Sequence, residues 1–299
     1  MLPPIARRFI AGETPDAALE HARELNRRGI SAILNLLGEH YDSIEEAEAD
    51  AAAYKAMVDA IDAAGLDACI SIKPSQLGLD LGEEPFRELL DDLVSHAAER
   101  DVFVWIDMED YTTTDTTLDA YEALATEHAD VATTGSSEKS SETTASEADR
   151  AVGVCVQANL RRTTADVERL ANVPGKVRFV KGAYNEPASV AYTDKARVNQ
   201  EFRELLEYAF ANFDGGIAIG SHDPEMIDLA KKLHDEHGTP FEVQMLMGVR
   251  EDAQDDLVAE GYEVWQYAPY GNRWLSYFWR RLRERKENVL FALRAIVGR

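Results

Sequence analysis

Apolar residues along this chain gather in eight short runs, separated by stretches in which apolar positions recur at helical spacing. The runs are SAILNLLG (31–38), DACISIK (67–73), VFVWIDME (102–109), VGVCVQAN (152–159), VRFVKGAY (177–184), GIAIGSH (216–222), FEVQMLMG (241–248) and EVWQYAPYG (263–271). Near-continuous Val/Ile/Leu runs predict strands buried on both faces, the condition of an all-parallel sheet. Eight βα units over roughly 250 residues predict an α/β fold, a (β/α)8 barrel of the TIM type, with 1–299 as one domain. In that fold the C-terminal strand ends line a single mouth. Lys73, Asp107, Glu109, Gln157, Lys181, Tyr184, His222, Gln244 and Tyr267 stand at or near those ends. They are therefore expected to converge.

The intervening stretches read as outer helices. PDAALEHARELNRRG opens with Thr14 as N-cap and Pro15 at the first helical position. The helix predicted over about 43–64 carries Ile44, Ala51, Tyr54, Val58 and Ile61 on one stripe, the period of a helix packing on a barrel. The segment 130–150, DVATTGSSEKSSETTASEADR, has almost no apolar residues and predicts a flexible Ser/Thr/acidic insertion on the side away from the mouth. A final helix is predicted after 271. Its Trp274, Tyr277, Phe278, Trp279, Leu290 and Phe291 suit packing on the barrel, and the same residues are compatible with peripheral contact at the inner face of a membrane.

Composition narrows the function classes. With 31 Lys and Arg against 55 Asp and Glu, the formal charge of −24 argues against a nucleic-acid partner. An anionic substrate would need a local basic pocket inside this negative field. The acidic exterior reads as adaptation to a salt-rich cytoplasm. No run is long and apolar enough for a transmembrane helix, and MLPPIARRFIAGETP lacks the apolar region of a secretory signal, so a cytoplasmic location is expected. Cys69 and Cys155 fall inside predicted buried strands and read as inert core thiols.

Four local patterns carry candidate chemistry. In SIKPSQLG, Lys73 ends the second strand and can serve as a Schiff-base lysine, a cationic anchor or a solvated strand end. In WIDMEDY, Asp107 and Glu109 share a face of the third strand and can bind metal, act as acid and base, or neutralise a lysine. In VRFVKGAYNEP, Arg178 and Lys181 put two cations at one strand end, which suggests an anionic group, and Gly182 permits close backbone approach. In YAPYGNRWLSYFWRRLRERKE, Tyr267 ends the eighth strand, and Tyr277, Arg280, Arg281 and Glu284 follow at spacings of three and four on the last helix. Those arginines can also form ordinary surface pairs.

These patterns resemble the catalytic domain of the proline dehydrogenases, flavin-dependent barrel enzymes. The resemblance runs from RRFIAGETPDAAL to the last helix, apart from 130–150. Its most specific motifs are VRFVKGAYNEP and YAPYG followed by YFWRRLRE. SIKPSQLG, IDME, VQANLRR, GSH and QMLMG stand at the matching strand ends in the expected order. The resemblance implies oxidation of L-proline to Δ1-pyrroline-5-carboxylate, with hydride transfer from ring carbon C5 to FAD and onward delivery of electrons to a quinone.

By the same resemblance, Arg280, Arg281 and Lys73 hold the substrate carboxylate, and Asp107 pairs with that lysine beneath flavin and substrate. Tyr184, Leu246, Tyr267 and Tyr277 wall the pocket, and Glu284 positions the arginine. Arg178 tunes hydride acceptance, and Met108, Gln157, Lys181, Gly182, Ala183, Ser221, His222 and Gln244 contact the cofactor. No metal is implied. Phe179, where a smaller aliphatic residue is expected, implies a tighter or shifted pocket. No G-x-G-x-x-G occurs, so FAD is not expected on a Rossmann unit. The competing readings are a Schiff-base aldolase using Lys73 or Lys181, a metal-dependent barrel using Asp107, Glu109 and His222, and a non-catalytic binding protein.

Overall fold

In the computed structural model, eight strands close into a barrel in chain order, every neighbour parallel. The structure describes residues 6–135, 151–214 and 216–275. The strands are β1 (Ser31–Leu36), β2 (Ala68–Ile72), β3 (Val104–Ile106), β4 (Val152–Gln157), β5 (Lys176–Val180), β6 (Ile217–Gly220), β7 (Phe241–Leu246) and β8 (Glu263–Tyr270). Each lies inside, or within a residue of, one of the eight apolar runs. The barrel closes where β1 meets β8, in a register that sets Ile33 beside Tyr267.

The helices are α1 (Pro15–Arg27), α2 (Ile44–Ala64), α3 (Glu83–Ala98), α4 (Thr114–Gly135), α5 (Thr163–Leu170), α6 (Lys195–Asn212), α7 (Pro224–His237) and α8 (Glu251–Ala259). Thr14 caps α1 as expected, its side chain accepting from the Ala17 amide, with Pro15 in the first turn. In α2 the buried stripe is Ala47, Ala51, Tyr54, Met57, Val58 and Ile61, so the packing face is centred later than Ile44. Helix α4 continues to Gly135, so the segment expected to loop out is helical over its first residues. Residues 136–150 lie outside the described residues.

Two apolar layers follow from strand alternation. The large one joins outward-facing strand residues to the helices and contains Ile70, Ile106, Val154, Val177, Phe179, Ile219 and Val243. Phe179 meets Phe213, at the C-terminal end of α6, edge to face at 6.2 Å between ring centroids. Phe179 therefore points away from the barrel axis, which corrects the expectation that it narrows the pocket. The small layer lies inside: Ile33, Cys69, Trp105 and Ala218, flanked by Phe103, Trp265 and Tyr267.

Residues 6–12 run beside the end of β8, with Gly12 bridged to Tyr270 and the Ala11 amide bonded to the Pro269 carbonyl. Ala6, Phe9 and Ile10 form a third cluster with Leu37, and Trp274 packs on it. The Trp274 ring is thus turned partly onto the chain's own N-terminal segment. Its indole N–H donates to Glu13 at 3.3 Å.

Candidate active site

The barrel interior is polar to a degree that strand runs rich in Val and Ile conceal. Arg178, in the middle of β5, is 4% exposed. One of its guanidinium nitrogens meets the Asp107 carboxylate and lies 3.4 Å from Ser71 Oγ, and the other donates to Gln244 Oε1 at 3.0 Å. Asp107 also accepts from Ser71 Oγ at 2.8 Å and from the Tyr267 hydroxyl at 2.7 Å, so both carboxylate oxygens are engaged. The guanidinium lies over the Trp105 ring, 4.8 Å from its centroid. Burial opposes the arginine's charge, but Asp107 more than restores it, and its pKa ends above the ordinary value. Burial also pushes the Tyr267 hydroxyl well above its ordinary range, with adjacent Asp107 adding to the effect. The phenol therefore stays protonated and donates.

Small side chains on β6 make this arrangement possible. In register, Arg178 of β5 neighbours Ala218 of β6, which neighbours Glu242 of β7. Ala218 and Gly220 share the inward face of β6, and Gly216 immediately precedes the strand. A Cβ at Gly220 would meet Val180 Cγ1 at 2.7 Å and Arg178 Cγ at 3.5 Å. With almost no side-chain bulk on β6, long side chains from β5 and β7 meet across it.

Above this floor, two ion pairs stand at the mouth. Lys73 donates to Glu39 at 2.6 Å. Glu39 stands in the loop after β1, one residue past the run SAILNLLG, where no spacing signal marks it. Asp107 is committed to Arg178 and Tyr267, so the expected Lys73–Asp107 pairing is corrected: the lysine's carboxylate is Glu39. Lys181 donates to Asp223 at 2.6 Å and to Asn199 at 2.7 Å. Burial works against the Asp223 charge, but the Lys181 hydrogen bond overrides it and holds the carboxyl below its ordinary value. Among the described residues, Lys73, Arg178 and Lys181 are all matched by a carboxylate. Two adjacent cations therefore do not by themselves make the anion site expected on β5.

Asp107 and Glu109 do not act together. Glu109 is 1% exposed and accepts from the Ser75 amide at 2.7 Å and the Ser75 hydroxyl at 2.8 Å, pinning the 3₁₀ turn after β2. Burial pushes its carboxyl up, against the lowering effect of those hydrogen bonds. A carboxyl raised in the folded state favours folding while protonated, and that contribution is lost as pH climbs from the ordinary 4.5 through the raised value. Glu109→Gln is therefore expected to gain stability relative to the parent as pH rises through that window. Urea midpoints of both proteins at acidic and mildly alkaline pH check the sign, and parallel pH curves would refute it.

The other expected residues cluster at the same end. Gln157 closes β4, its Nε2 donating to the Glu109 carbonyl at 2.7 Å and its Oε1 accepting from the Ala183 amide at 3.4 Å. His222 Nε2 accepts from the Leu246 amide at 2.8 Å, which places the ring proton on Nδ1 and ties the β6 loop to β7. Ser221 Oγ accepts from the Asp223 amide at 3.1 Å. Met108 is buried, and Tyr184 and Leu246 are half-buried. Tyr267 does not end β8, which continues to Tyr270; it faces inward above Trp105. Gln244 lies in the same layer, its carboxamide spent on Arg178 and Glu242. Tyr277, Arg280, Arg281 and Glu284 lie outside the described residues. Cys69 and Cys155 are buried free thiols, with burial raising both pKa values.

Gly182 gives a test of fit for a large cofactor. It is exposed at the mouth with φ 108°, and a Cβ there would lie 2.1 Å from Asn159 Oδ1. That oxygen is buried and has no hydrogen-bond partner among the described residues. The chain presents bare backbone where the β4 and β5 loops are knitted together by the Asn159 amide and the Lys181 carbonyl. Gln157, Lys181, Ser221 and His222 supply polar groups around it. This surface fits a polar cofactor laid across the strand ends. Among the described residues, no three His, Cys, Asp or Glu groups converge as metal ligands.

Residues 18–294 match the family model described as Proline dehydrogenase. Proline dehydrogenase 1 of Bacillus subtilis subsp. natto is 37% identical over 295 residues, covering 98% of this chain and 90% of that protein. Proline dehydrogenase of Deinococcus radiodurans is 35% identical over 305 residues, with the same coverages of 98% and 90%. Among solved structures, proline utilization A from Bdellovibrio bacteriovorus, inactivated by N-propargylglycine, aligns with a TM-score of 0.79 at 24% identity, over 93% of this chain and 32% of that one. Proline utilization A from Corynebacterium freiburgense aligns with a TM-score of 0.74 at 23% identity, over 94% and 31%. At those identities the two structures speak to the fold, and this chain spans about a third of their length.

Proposed function

The chain belongs to the proline dehydrogenase family and is an oxidoreductase of proline catabolism; we propose that it oxidises L-proline to Δ1-pyrroline-5-carboxylate at the barrel mouth, with FAD as hydride acceptor and a quinone as the onward electron acceptor. FAD, when bound, supplies the site for the hydride leaving ring carbon C5. Gln157, Lys181, Gly182, Ala183, Ser221 and His222 would hold it, with Met108 in contact beneath. The observation that carries this reading is the immobilised Arg178 guanidinium in the floor of the mouth, fixed by Asp107 and Gln244 and backed by Trp105. A preorganised, desolvated cation of this kind acts strongly on charge developing above it without reorganising during the reaction.

Proline is a zwitterion, so its carboxylate needs cations that are not already spent. Lys73 is shared with Glu39; by the family resemblance Arg280 and Arg281, which lie outside the described residues, would be the bidentate partners, with Lys73 completing the anion site. Tyr184, Leu246, Tyr267 and Tyr277 would fit the pyrrolidine ring and exclude water, and Glu284 would orient an arginine. The Tyr267 ring is held for this by the hydrogen bond from its hydroxyl to Asp107. The aldolase alternative is less well supported. Both Lys73 and Lys181 stand against carboxylates at 2.6 Å, as counter-ions. No helix among the described residues is long and apolar enough to cross a membrane. A cytoplasmic enzyme touching the inner membrane face to meet its quinone goes with this reading.

Anaerobic addition of L-proline to the purified protein is expected to bleach the flavin absorption; a colourless protein after refolding with FAD would end the proposal. Arg280→Met is expected to raise KM for proline at least about tenfold, by loss of a charge-assisted pair, while FAD stays bound. An unchanged KM would remove Arg280 from the carboxylate site.

A further inference from the structure

The polar interior does not stop at Arg178. Gln244 Nε2 donates to Glu242 Oε1 at 2.6 Å, and Glu242 Oε2 accepts from Lys176 Nζ at 2.7 Å. Glu242 is 3% exposed and Gln244 4%. One continuous chain thus runs along the barrel, from Lys176 at the start of β5 through Glu242, Gln244 and Arg178 to Asp107 and Tyr267 at the mouth. Its lower half crosses the sheet beside Gly216 and Ala218; a Cβ at Gly216 would make ordinary contact with Lys176 Cε, at 3.5 Å.

Every link in this chain has a fixed polarity. Lysine and arginine only donate; ionised carboxylates only accept. Between Lys176 and Asp107, Gln244 is the one member that could face either way, because its carboxamide carries an acceptor and a donor. With an acceptor-only carboxylate beneath it and a donor-only guanidinium above, the amide points its NH2 down and its oxygen up, and Glu242 anchors it from below. We propose that Glu242, oriented by Lys176, is a positioning residue for proline oxidation: it sets the direction of Gln244 and thereby the seat of the Arg178 guanidinium. This rests on the reading of Arg178 as the cation beneath a bound flavin.

The argument makes an unusual demand of an isosteric change. In Glu242→Gln, the new carboxamide oxygen goes to Lys176, the stronger donor. Its NH2 then faces the NH2 of Gln244, donor against donor, so Gln244 either shifts away from its seat or turns over and carries the clash up to Arg178. Removing the lysine as well frees the new amide to turn its oxygen toward Gln244, and the original direction returns. Glu242→Gln is therefore expected to slow the saturating rate of flavin reduction by proline about tenfold, the scale of one charge-assisted hydrogen bond. It should also shift the visible bands of the bound flavin and leave KM for proline within about twofold. Lys176→Met/Glu242→Gln is expected to recover both rate and spectrum.

A carboxylate that merely fills the bottom of the barrel predicts something else: lower stability, with rate per bound flavin and spectrum unchanged. That result, or a double variant as slow as the single one, overturns the proposal. If Glu242→Gln does not fold, two variants with no unpaired lysine decide. Lys176→Met/Glu242→Gln should match the parent, and Lys176→Met/Glu242→Met, which leaves the buried Gln244 NH2 without an acceptor and its carboxamide unanchored from below, should be slow and spectrally shifted. Equal behaviour of that pair sinks the idea. A parent protein that binds flavin but is not reduced by proline would refute the functional reading instead, and the flavin spectra of the variants would still decide this one.

Discussion

Asp107→Ala is expected to lower the thermal unfolding midpoint by about 10 °C and proline-dependent flavin reduction by about a hundredfold. The stability figure comes from what the substitution leaves behind. Arg178 is 4% exposed and cannot reach water without dragging β5 with it. Removing its carboxylate strands a buried guanidinium, a loss of about 3–5 kcal/mol. The Tyr267 hydroxyl and Ser71 Oγ lose an acceptor in the same step. The activity figure follows from position: a guanidinium displaced by about 1 Å from a reacting centre forfeits roughly a hundredfold. Asp107→Asn should fall between, since its one oxygen can serve Arg178 or Tyr267 while its amide opposes the other. Calorimetry and stopped-flow flavin reduction read the two effects separately. An Asp107→Ala protein that unfolds within a degree or two of the parent would mean that Arg178 has found another buried partner, and the account of the floor would fail.

Trp105→Ala is expected to destabilise the protein by about 3–5 kcal/mol, the cost of a large cavity in a close-packed interior. Trp105 is 1% exposed and meets Phe103 edge to face at 5.0 Å, with Arg178 on its ring. The neighbouring position on β4, in register with it, is Gly153, where a Cβ would lie 2.6 Å from the indole. The glycine exists to admit the ring, so nothing nearby can collapse into the space the ring leaves. Trp105→Phe keeps the apolar floor and should retain most turnover, whereas the alanine variant loses stability and turnover together. Urea unfolding and proline turnover of the two variants check this; a Trp105→Ala enzyme with parental kinetics would show that Arg178 needs no support from below.

Much of the barrel was legible because parallel strands are buried on both faces. That makes eight apolar runs stand out from helices whose outer faces carry Asp and Glu. Lys73, Gln157, Lys181 and His222 could be placed at the mouth on the same ground, since strand order and direction decide which end a residue occupies. Partners were not legible. Lys73 was matched to Asp107, a residue near it in the mouth, but Glu39 follows β1 and only the loop's path brings it within 2.6 Å. Phe179 read as a pocket residue because a strand buried on both faces gives no signal of which side is inward. Glu242 and Lys176 drew no attention: each opens an apolar run, where a charge normally marks nothing more than a strand's start.

What the amino-acid order settled alone is the succession of eight strands and their helices, the acidic exterior, and the end at which chemistry collects. These follow from burial and periodicity, which are local properties of a stretch of chain. The tertiary structure alone decided which charges neutralise one another, because residues such as Lys176 and Glu242 stand 66 positions apart and meet across the Gly and Ala face of β6. Side-chain pairing depends on the stagger between strands, and no stretch of sequence carries that stagger by itself.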